Sequence, residues 1–207
     1  FCKSLGIDRG KFKYVEAEST FKAEDSPIYC NTKVKLNYHN LKRNLPKIVE
    51  QVKQICEHHK DEKGIIHTHN TITSFLSNKL NSTRFLIREP GVRNEEILQQ
   101  HLSTDEPTVL VSPSMSHGVD LKDDLARFQI IVKAPYLPTK DKRIERLMND
   151  DFNWYANKML CSLIQSCGRG VRSKKDYCKT YILDGAIVES VVNNTHKLPK
   201  YFISRFV

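Results

Sequence analysis

Short apolar segments alternate along this chain with longer stretches in which apolar residues recur every three or four positions. The short segments are typical of buried strands, and they lie at 63–70, 84–88, 108–111, 128–132 and 179–184. The longer stretches are typical of helices that pack on a sheet. Strands that alternate with helices favour a mainly parallel sheet covered on both faces. The pattern therefore predicts an α/β fold, built as one domain with five clear strands.

The first helix is predicted to begin near Asn40, where Asn40 or Asn44 could cap its first turn. Further helices are predicted at 71–80, 94–102 and 140–165. Asn94 is the expected cap of the second of these. The third is expected to break near 149–151, where polar residues interrupt the apolar pattern.

The two ends of the chain carry weaker patterns. Alternation around 14–17 allows a short strand, and the C-terminal segment is expected to be a polar tail with apolar residues such as Leu198 and Phe202. Residues 1–39 are therefore assigned as an N-terminal extension with an entry strand, and 40–207 as the main part of the domain. Because the chain starts without Met, we expect it to be part of a longer protein.

Charge and cysteine content limit the classes of function. Lys and Arg total 33 against 24 Asp and Glu, for a net charge of +9, which favours a polyanionic partner such as nucleic acid. The 6 cysteines contain no C-x-x-C pair, so neither a zinc site nor a dense disulfide framework is predicted. No apolar run approaches the roughly 20 residues that span a bilayer, and no signal-peptide pattern begins the chain. We therefore expect an intracellular protein without membrane contact, cytoplasmic if prokaryotic or viral, or else nuclear.

The segment 165–172 holds two arginines three positions apart in a turn marked by glycines. Gly168 and Gly170 let the backbone turn tightly and approach a ligand closely. Arg169 and Arg172 carry forked, permanently charged donors whose geometry suits phosphate oxygens. The alternative is an ordinary basic surface loop, since charged loops are commonly just solvated.

Polar residues also follow two of the predicted strands, at 67–70 and 112–120. In parallel α/β folds the ligand-binding loops lie at the carboxyl ends of the strands. We therefore expect these two segments and 165–172 to lie together at that edge of the sheet.

In order and spacing, the three segments resemble motifs IV, V and VI of superfamily-two helicases, and more narrowly those of the XPD/DinG family of DNA helicases. The family's motif VI has the form Q-x-x-G-R-x-x-R, which is met by Gln165, Gly168, Arg169 and Arg172, with Asp176 and Tyr177 following. Motif V ends in G-[IV]-D-[FL], which is met at 118–121. Residues 19–21 are similar to the family's S-P-F entry into this domain, with Thr in place of Pro. Motif VI is the specific part of a resemblance that covers most of the chain.

The resemblance implies a RecA-like, P-loop NTPase-type three-layer α/β/α fold and a role as the second motor domain of an ATP-dependent DNA helicase. ATP with Mg²⁺ would lie in a cleft against an N-terminal RecA-like domain of the same parent chain and be held mainly by that domain. Arg169 and Arg172 would act as arginine fingers that stabilise charge on the γ-phosphate. Gln165 would contact the γ-phosphate or the attacking water. Gly118 and Asp120 would bind ATP at motif V positions that link the nucleotide to strand movement, with Asp120 near the ribose or the arginine fingers. Asp120 could instead be a plain helix N-cap.

The other strand ends would face single-stranded or forked DNA. Short donors that suit phosphate oxygens without reading base sequence occur there at Thr68, Asn70, Ser112 and Ser114. His67 and His69 lie two positions apart at the end of the same predicted strand, and one of them is expected to point inward. A buried core histidine is as well supported at these positions as a contact with nucleic acid.

Parts of a complete helicase are missing from this sequence. It has no G-x-x-x-x-G-K-[ST] phosphate loop and no D-E-A-H-type stretch. Its cysteines also lack the spacing of the family's iron–sulfur ligands, so an iron–sulfur cluster would belong to another part of the parent protein. We expect the chain alone to hydrolyse ATP negligibly, and we assign no metal ligands to it.

Two other functions fit the same residues. One is a non-catalytic nucleic-acid-binding module that kept the helicase fold, although a pure binder has no need for both arginines. The other is an RNA helicase domain. Gln165 argues against it, because many RNA helicases place His at that motif position.

Overall fold

The computed structural model describes residues 6–8, 10–13, 15, 19–30, 32–80, 82–88, 91–112, 121–173 and 175–207. The strands are β1 (Ile28–Tyr29), β2 (Gly64–His67), β3 (Phe85–Ile87), β4 (Val109–Ser112), β5 (Phe128–Ile131) and β6 (Lys179–Ile182). The helices are α1 (Leu41–His58), α2 (Asn70–Ser77), α3 (Asn94–Ser103), α4 (Lys142–Asp150), α5 (Phe152–Cys167), α6 (Gly185–Asn193) and α7 (Lys200–Ile203). Among these residues the six strands form one sheet in the order β1-β6-β5-β2-β4-β3, and every pairing is parallel.

Apolar side chains cover both faces of the sheet, as expected for an all-parallel arrangement. On one face, Ile66 and Ile130 belong to a core with α1 and α2. On the other face, Ile65 packs with α3, and Ile131 packs with α5, α6 and α7. The result is a three-layer α/β/α fold, which confirms the predicted fold class.

The side chain of Arg84 ties the end of α1 to the sheet. Its guanidinium donates to the carbonyl oxygens of Cys56, His59 and Glu62 at 2.6, 2.5 and 3.1 Å. Its Nε donates to the carbonyl of Pro107 at 2.7 Å. Carbonyls at a helix C-terminus lack partners within the helix, so these bonds cap α1 and fix the turn that leads into β2.

The predicted helices and strands are confirmed with small shifts at their ends. The long helix breaks at Asp151, whose side chain caps α5 by accepting from the amide of Trp154 at 3.1 Å. Asn40 is the N-cap residue of α1, but its side chain accepts from Arg43 instead of from a helix amide. The predicted cap of α3 is wrong, because Asn94 is the first helical residue.

The ends of the chain differ most from expectation. Ile28 and Tyr29 form β1, a strand that the sequence did not predict, and it pairs with β6. A strand of two residues is too short to show an alternating pattern in the sequence. The C-terminal segment is not a polar tail, since it forms α6 and α7 and buries Phe202 completely and Leu198 to 9% exposure. The strand expected at 14–17 falls largely outside the described residues.

Candidate functional site

The two candidate arginines lie in the loop that joins α5 to β6, which is called the arginine loop here (168–178). All strands are parallel, so each helix carries the chain back to the amino edge before the next strand begins. The arginine loop therefore lies at the amino edge, whereas 67–70 follows the carboxyl end of β2. The expectation that 165–172 shares the carboxyl edge with the other two polar segments is wrong.

Close packing requires glycine at only one of the two glycine positions in this loop. A Cβ on Gly170 would overlap the Sγ of Cys178 and would lie 3.3 Å from the carbonyl oxygen of Ala126. Gly168 is the C-cap of α5 with φ of −86°, which is open to any residue. An added Cβ there would lie 3.5 Å from the carbonyl of Ile164, an ordinary contact. The close approach predicted from the glycines is thus made by Gly170, against the protein itself.

A buried carboxylate fixes the backbone of the second arginine. Asp176 is 2% exposed, and its Oδ2 accepts from the amides of Arg172 at 3.0 Å and Asp123 at 3.3 Å. Its Oδ1 accepts from Nη1 of Arg127 at 2.7 Å. A buried carboxylate needs such donors to offset its lost hydration. Asp176 therefore joins the arginine loop to the turn that precedes β5.

Arg127 extends this link toward β2. Its guanidinium also pairs with Asp124 at 2.7 Å and lies 4.3 Å from the centre of the Tyr177 ring. The hydroxyl of Tyr177 donates to the carboxylate of Glu62 at 3.1 Å. Because the Arg127 side chain is only 12% exposed, solvent and salt screen its contacts less than those of a surface pair. Connected ion pairs and hydrogen bonds thus brace the amino edge around the arginine loop.

The polar side chains of motif VI differ in exposure. Gln165 and Arg172 are exposed, and Arg169 is half-buried. Burial, together with the positive charge of Arg172, lowers the pKa of Arg169. Arginine nevertheless stays protonated in proteins, since its ordinary pKa is above 12. Two neighbouring cations at one loop favour an anion with several oxygens, such as a phosphate.

The two histidines at the end of β2 differ in burial, as expected. Strand alternation does not explain the difference, because residues two positions apart share a face; His69 lies beyond the last residue of β2. His67 is 1% exposed, and its Nε2 lies 3.2 Å from the Oε1 of Gln129, which assigns the proton to Nε2. Burial, and to a lesser degree the charge of Arg169, lowers the pKa of His67 to about 4. His69 is half-buried, with Nε2 3.4 Å from the carbonyl of Ala134. His67 is therefore a neutral core histidine, and His69 lies at the carboxyl edge.

The remaining strand-end residues lie side by side at the carboxyl edge. His67 and Ser112 are paired in register, so the ends of β2 and β4 are neighbours. Asn70 is exposed at the start of α2, and Ser112 is half-buried. Thr68 is 3% exposed, and its hydroxyl donates to the carbonyl oxygen of His69 at 3.4 Å. Three further predicted residues lie outside the described residues: Ser114, Gly118 and Asp120.

A phosphate group fits the arginine loop better than a metal ion does. Arg169 and Arg172 present positive charge, and the carboxylate of Asp176 is already bonded to three donors. Within the described ranges, no group of three or more His, Cys, Asp and Glu side chains is arranged to hold a metal ion. The residues present thus fit the phosphates of a nucleotide.

No helix in that part of the chain is both long and apolar enough to cross a membrane.

The sequence alone does not identify two residues that organise this site. Asp176 follows Arg172 by four positions, but no pattern indicates that its carboxylate turns back to the Arg172 amide. Gln129 lies inside the apolar run 128–132. A long polar side chain in a buried strand indicates a buried hydrogen-bond partner. This is the sequence signal from which a structural role of Gln129 could have been predicted.

The chain matches known helicases in sequence. The profile of the Helicase C-terminal domain family matches residues 47–203. The ATP-dependent DNA helicase CHL1 of Candida albicans is 30% identical over 132 residues, which cover 51% of this chain and 16% of that protein. The ATP-dependent DNA helicase CHL1 of Debaryomyces hansenii is 27% identical with the same coverage. The chain thus corresponds to only about a sixth of the length of these relatives.

Two solved structures share its fold. The structure of S. tokodaii Xpd4 aligns with a TM-score of 0.61 and 19% identity over 97% of this chain and 41% of that one. An apo XPD structure aligns with a TM-score of 0.64 and 15% identity over 83% of this chain and 38% of that one. At such identities the likeness establishes the fold alone, which is the RecA-like arrangement. Its motif VI pattern resembles that of the XPD/DinG-like helicases. Because the family profile spans most of its length, the chain belongs to the Helicase C-terminal domain family.

Proposed function

We propose that this chain is the second motor domain of an ATP-dependent DNA helicase. It would supply two arginine fingers and part of the surface that holds single-stranded DNA, beside an N-terminal RecA-like domain of the parent chain. The observation that carries the proposal is the arginine loop, in which Arg169 and Arg172 follow the end of α5 and a buried carboxylate fixes the Arg172 backbone. Membership of the helicase family supports it.

Bound ATP supplies the γ-phosphoryl group, whose transfer to water develops charge on the phosphate oxygens. Arg169 and Arg172 donate to those oxygens and stabilise the charge. Gln165, exposed in the last turn of α5, contacts the γ-phosphate or the attacking water. Asp176 holds the Arg172 amide at 3.0 Å, so the guanidinium needs little reorganisation as charge develops.

Single-stranded DNA is assigned to the opposite edge of the sheet. Asn70 and Ser112, just after β2 and at the end of β4, are assigned to phosphate oxygens, which they bind without reading base sequence. Thr68 and Ser114 are assigned to the same role from the sequence. Between β4 and β5 the chain passes from this carboxyl edge to the amino edge. Gly118 and Asp120, in that connection, are assigned to the nucleotide because of the motif V resemblance.

The test is steady-state ATP hydrolysis by the full-length parent protein with single-stranded DNA. We expect Arg169→Ala and Arg172→Ala each to lower kcat by about 10³-fold or more. KM for ATP should change much less, because the lost contact is made mainly in the transition state. Arg143→Ala is the matched control, since Arg143 is an exposed arginine on α4.

Wild-type turnover in both alanine variants would contradict the finger assignment. Equal stimulation of hydrolysis by DNA and RNA strands would contradict the DNA assignment and favour an RNA helicase. A parent protein that binds single strands but never hydrolyses ATP would favour the non-catalytic binding module.

A further inference from the structure

A buried chain of hydrogen bonds crosses the sheet between the two edges of the proposed site. Gln129, in the middle of β5, is completely buried. Its Oε1 accepts from Nε2 of His67 at 3.2 Å. Its Nε2 donates to the carbonyl oxygen of Cys167 at 3.1 Å and to the hydroxyl of Thr180 at 2.8 Å. These four residues, the Gln129 relay, connect β2, β5 and β6 with the last turn of α5.

One end of the Gln129 relay holds the point where the chain leaves α5. Cys167 is the last residue of α5, two positions before Arg169. The carbonyls of a final helical turn lack partners within the helix. The Cys167 carbonyl finds two side-chain donors, Gln129 at 3.1 Å and Nη2 of Arg205 at 2.8 Å. Together these donors set the direction in which the arginine loop begins.

The other end lies beside the residues assigned to DNA. His67 is the last residue of β2 and directly precedes Thr68. The amide of Thr68 donates to the Ser112 carbonyl at 3.1 Å, so the two strand ends move together. Nδ1 of His67 is buried without a hydrogen-bond partner among the described residues. The bond to Gln129 is thus the polar anchor of the His67 ring in that part of the chain.

We propose that Gln129 is a positioning residue that couples DNA contact at the end of β2 to the placement of the arginine loop. The amide group accepts a hydrogen bond from the DNA side and donates one to the nucleotide side. If the His67 ring shifts, the rigid amide plane must turn with it or lose that bond, and turning changes its bond to the Cys167 carbonyl. Both polar atoms of this amide have their partners in the buried relay, so a lost bond leaves a buried polar group unsatisfied. This inference rests on the proposed function.

The experiment measures hydrogen–deuterium exchange of the amides at 168–172 in the full-length parent protein, with and without an oligothymidine single strand. In the wild type we expect the strand to change exchange there by at least about 5-fold, the lower end of typical allosteric coupling. Gln129→Leu keeps a side chain of similar volume without hydrogen bonds, and it should abolish that change. Binding of the same strand should stay within about 2-fold of wild type.

Thr108→Val is the matched control. It removes the buried bond, 2.8 Å long, between the Thr108 hydroxyl just before β4 and Nδ1 of His101 in α3, without touching α5. This variant should keep the wild-type response at 168–172. If Gln129→Leu also keeps it, or if Thr108→Val loses it equally, then Gln129 has no special part in the coupling. The inference also fails if the wild-type amides do not respond to the strand.

Hydrolysis separates this inference from the proposed function. In an active parent protein, Gln129→Leu should lower the stimulation of ATP hydrolysis by DNA at least about 5-fold. A wild-type parent that never hydrolyses ATP would refute the proposed function, while the exchange response would still decide the coupling. The double variant His67→Phe/Gln129→Leu should lose little more of the DNA stimulation than either single variant, because both changes break the same hydrogen bond.

Discussion

Asp176 accepts hydrogen bonds from one guanidinium and two backbone amides while almost fully buried. His67 is buried as well, with one polar bond and a neutral ring. Neither side chain belongs to the groups assigned to the γ-phosphate or to DNA. In the proposed mechanism, Asp176 acts through the backbone amide of Arg172 and His67 acts through Gln129. Replacing either one should therefore have effects that differ from the loss of a direct contact with phosphate or DNA.

Asp176→Asn should lower the kcat of the parent helicase by about 10-fold, with little change in KM for ATP, because Arg172 loses its fixed backbone. The amide keeps the shape of the carboxylate but places a donor against donors. The unfolding free energy, measured in urea, should fall by about 2 kcal/mol. Asp124→Asn is the control, since this carboxylate also pairs with Arg127 but is 93% exposed. Equal losses in the two variants would contradict a positioning role for Asp176.

His67 should make the protein less stable in acid. The pKa of an unfolded histidine is about 6.5, and burial lowers that of His67 to about 4 in the folded protein. Between these values the unfolded chain binds a proton that the folded protein does not. The stabilisation is therefore present above pH 6.5 and is lost as the pH falls toward 4, with a total of about 3 kcal/mol.

Urea unfolding between about pH 7 and pH 5 checks this expectation. The loss of stability should be smaller in His67→Leu than in the wild type, while the control His196→Gln, at an exposed position, should follow the wild type. Other histidines whose pKa burial lowers, among them His101, contribute to the wild-type slope, so the difference between variants is the decisive quantity. Identical slopes would contradict the buried neutral state of His67.

Two helices end on side chains supplied from distant parts of the chain. Arg84 caps α1 through one carbonyl of its last turn and two carbonyls that follow the helix. Gln129 and Arg205 cap the end of α5, and Arg205 also donates to the carbonyl of Ser26 at 2.7 Å. The C-terminal segment thereby fixes both the entry to β1 and the start of the arginine loop. Removing it would disturb the start of the arginine loop, because Arg205 holds the Cys167 carbonyl.

Arg84→Lys should lower the unfolding free energy by about 3 kcal/mol, because an ammonium group cannot reach four carbonyls and leaves buried acceptors without donors. Arg88→Lys is the control, at an exposed position just after β3. Urea denaturation of both variants and the wild type gives the comparison. An effect of Arg84→Lys no larger than that of the control would show that the four bonds contribute little.

In the proposed function, the molecule supplies one side of a nucleotide cleft. Its net charge of +9 suits nucleic acid phosphates, and the two edges of its sheet carry different groups. Arg169 and Arg172 lie at the amino edge, and short polar side chains lie at the carboxyl edge. Because the given sequence contains no phosphate loop, we propose that a second domain holds most of the nucleotide.

The purified chain alone should therefore hydrolyse ATP negligibly, with or without single-stranded DNA. The parent helicase, assayed under the same conditions, should turn over ATP. The measurement is phosphate release at saturating ATP, with Arg172→Ala as a background control. Clear hydrolysis by the isolated chain that Arg172→Ala abolishes would mean that it contains a complete nucleotide site of its own.

The sequence by itself determined the fold class, most helices and strands, and the motif around Arg169 and Arg172. These depend on local periodicity and on a short pattern, which are properties of neighbouring residues. The sequence also predicted that one of the two strand-end histidines is buried. It missed β1, whose two residues carry no period, and it mistook the C-terminal helices for a tail.

Only the tertiary structure decided which edge of the sheet carries each polar segment, because that depends on all six strands being parallel. It also decided that Asp176 holds Arg172, that Gln129 joins His67 to Cys167, and that Arg205 reaches back to Ser26. Most of these bonds join residues far apart in the chain, and even Asp176 meets Arg172 only because the loop folds back. Their partners are set by how the layers pack, a property that no local pattern encodes.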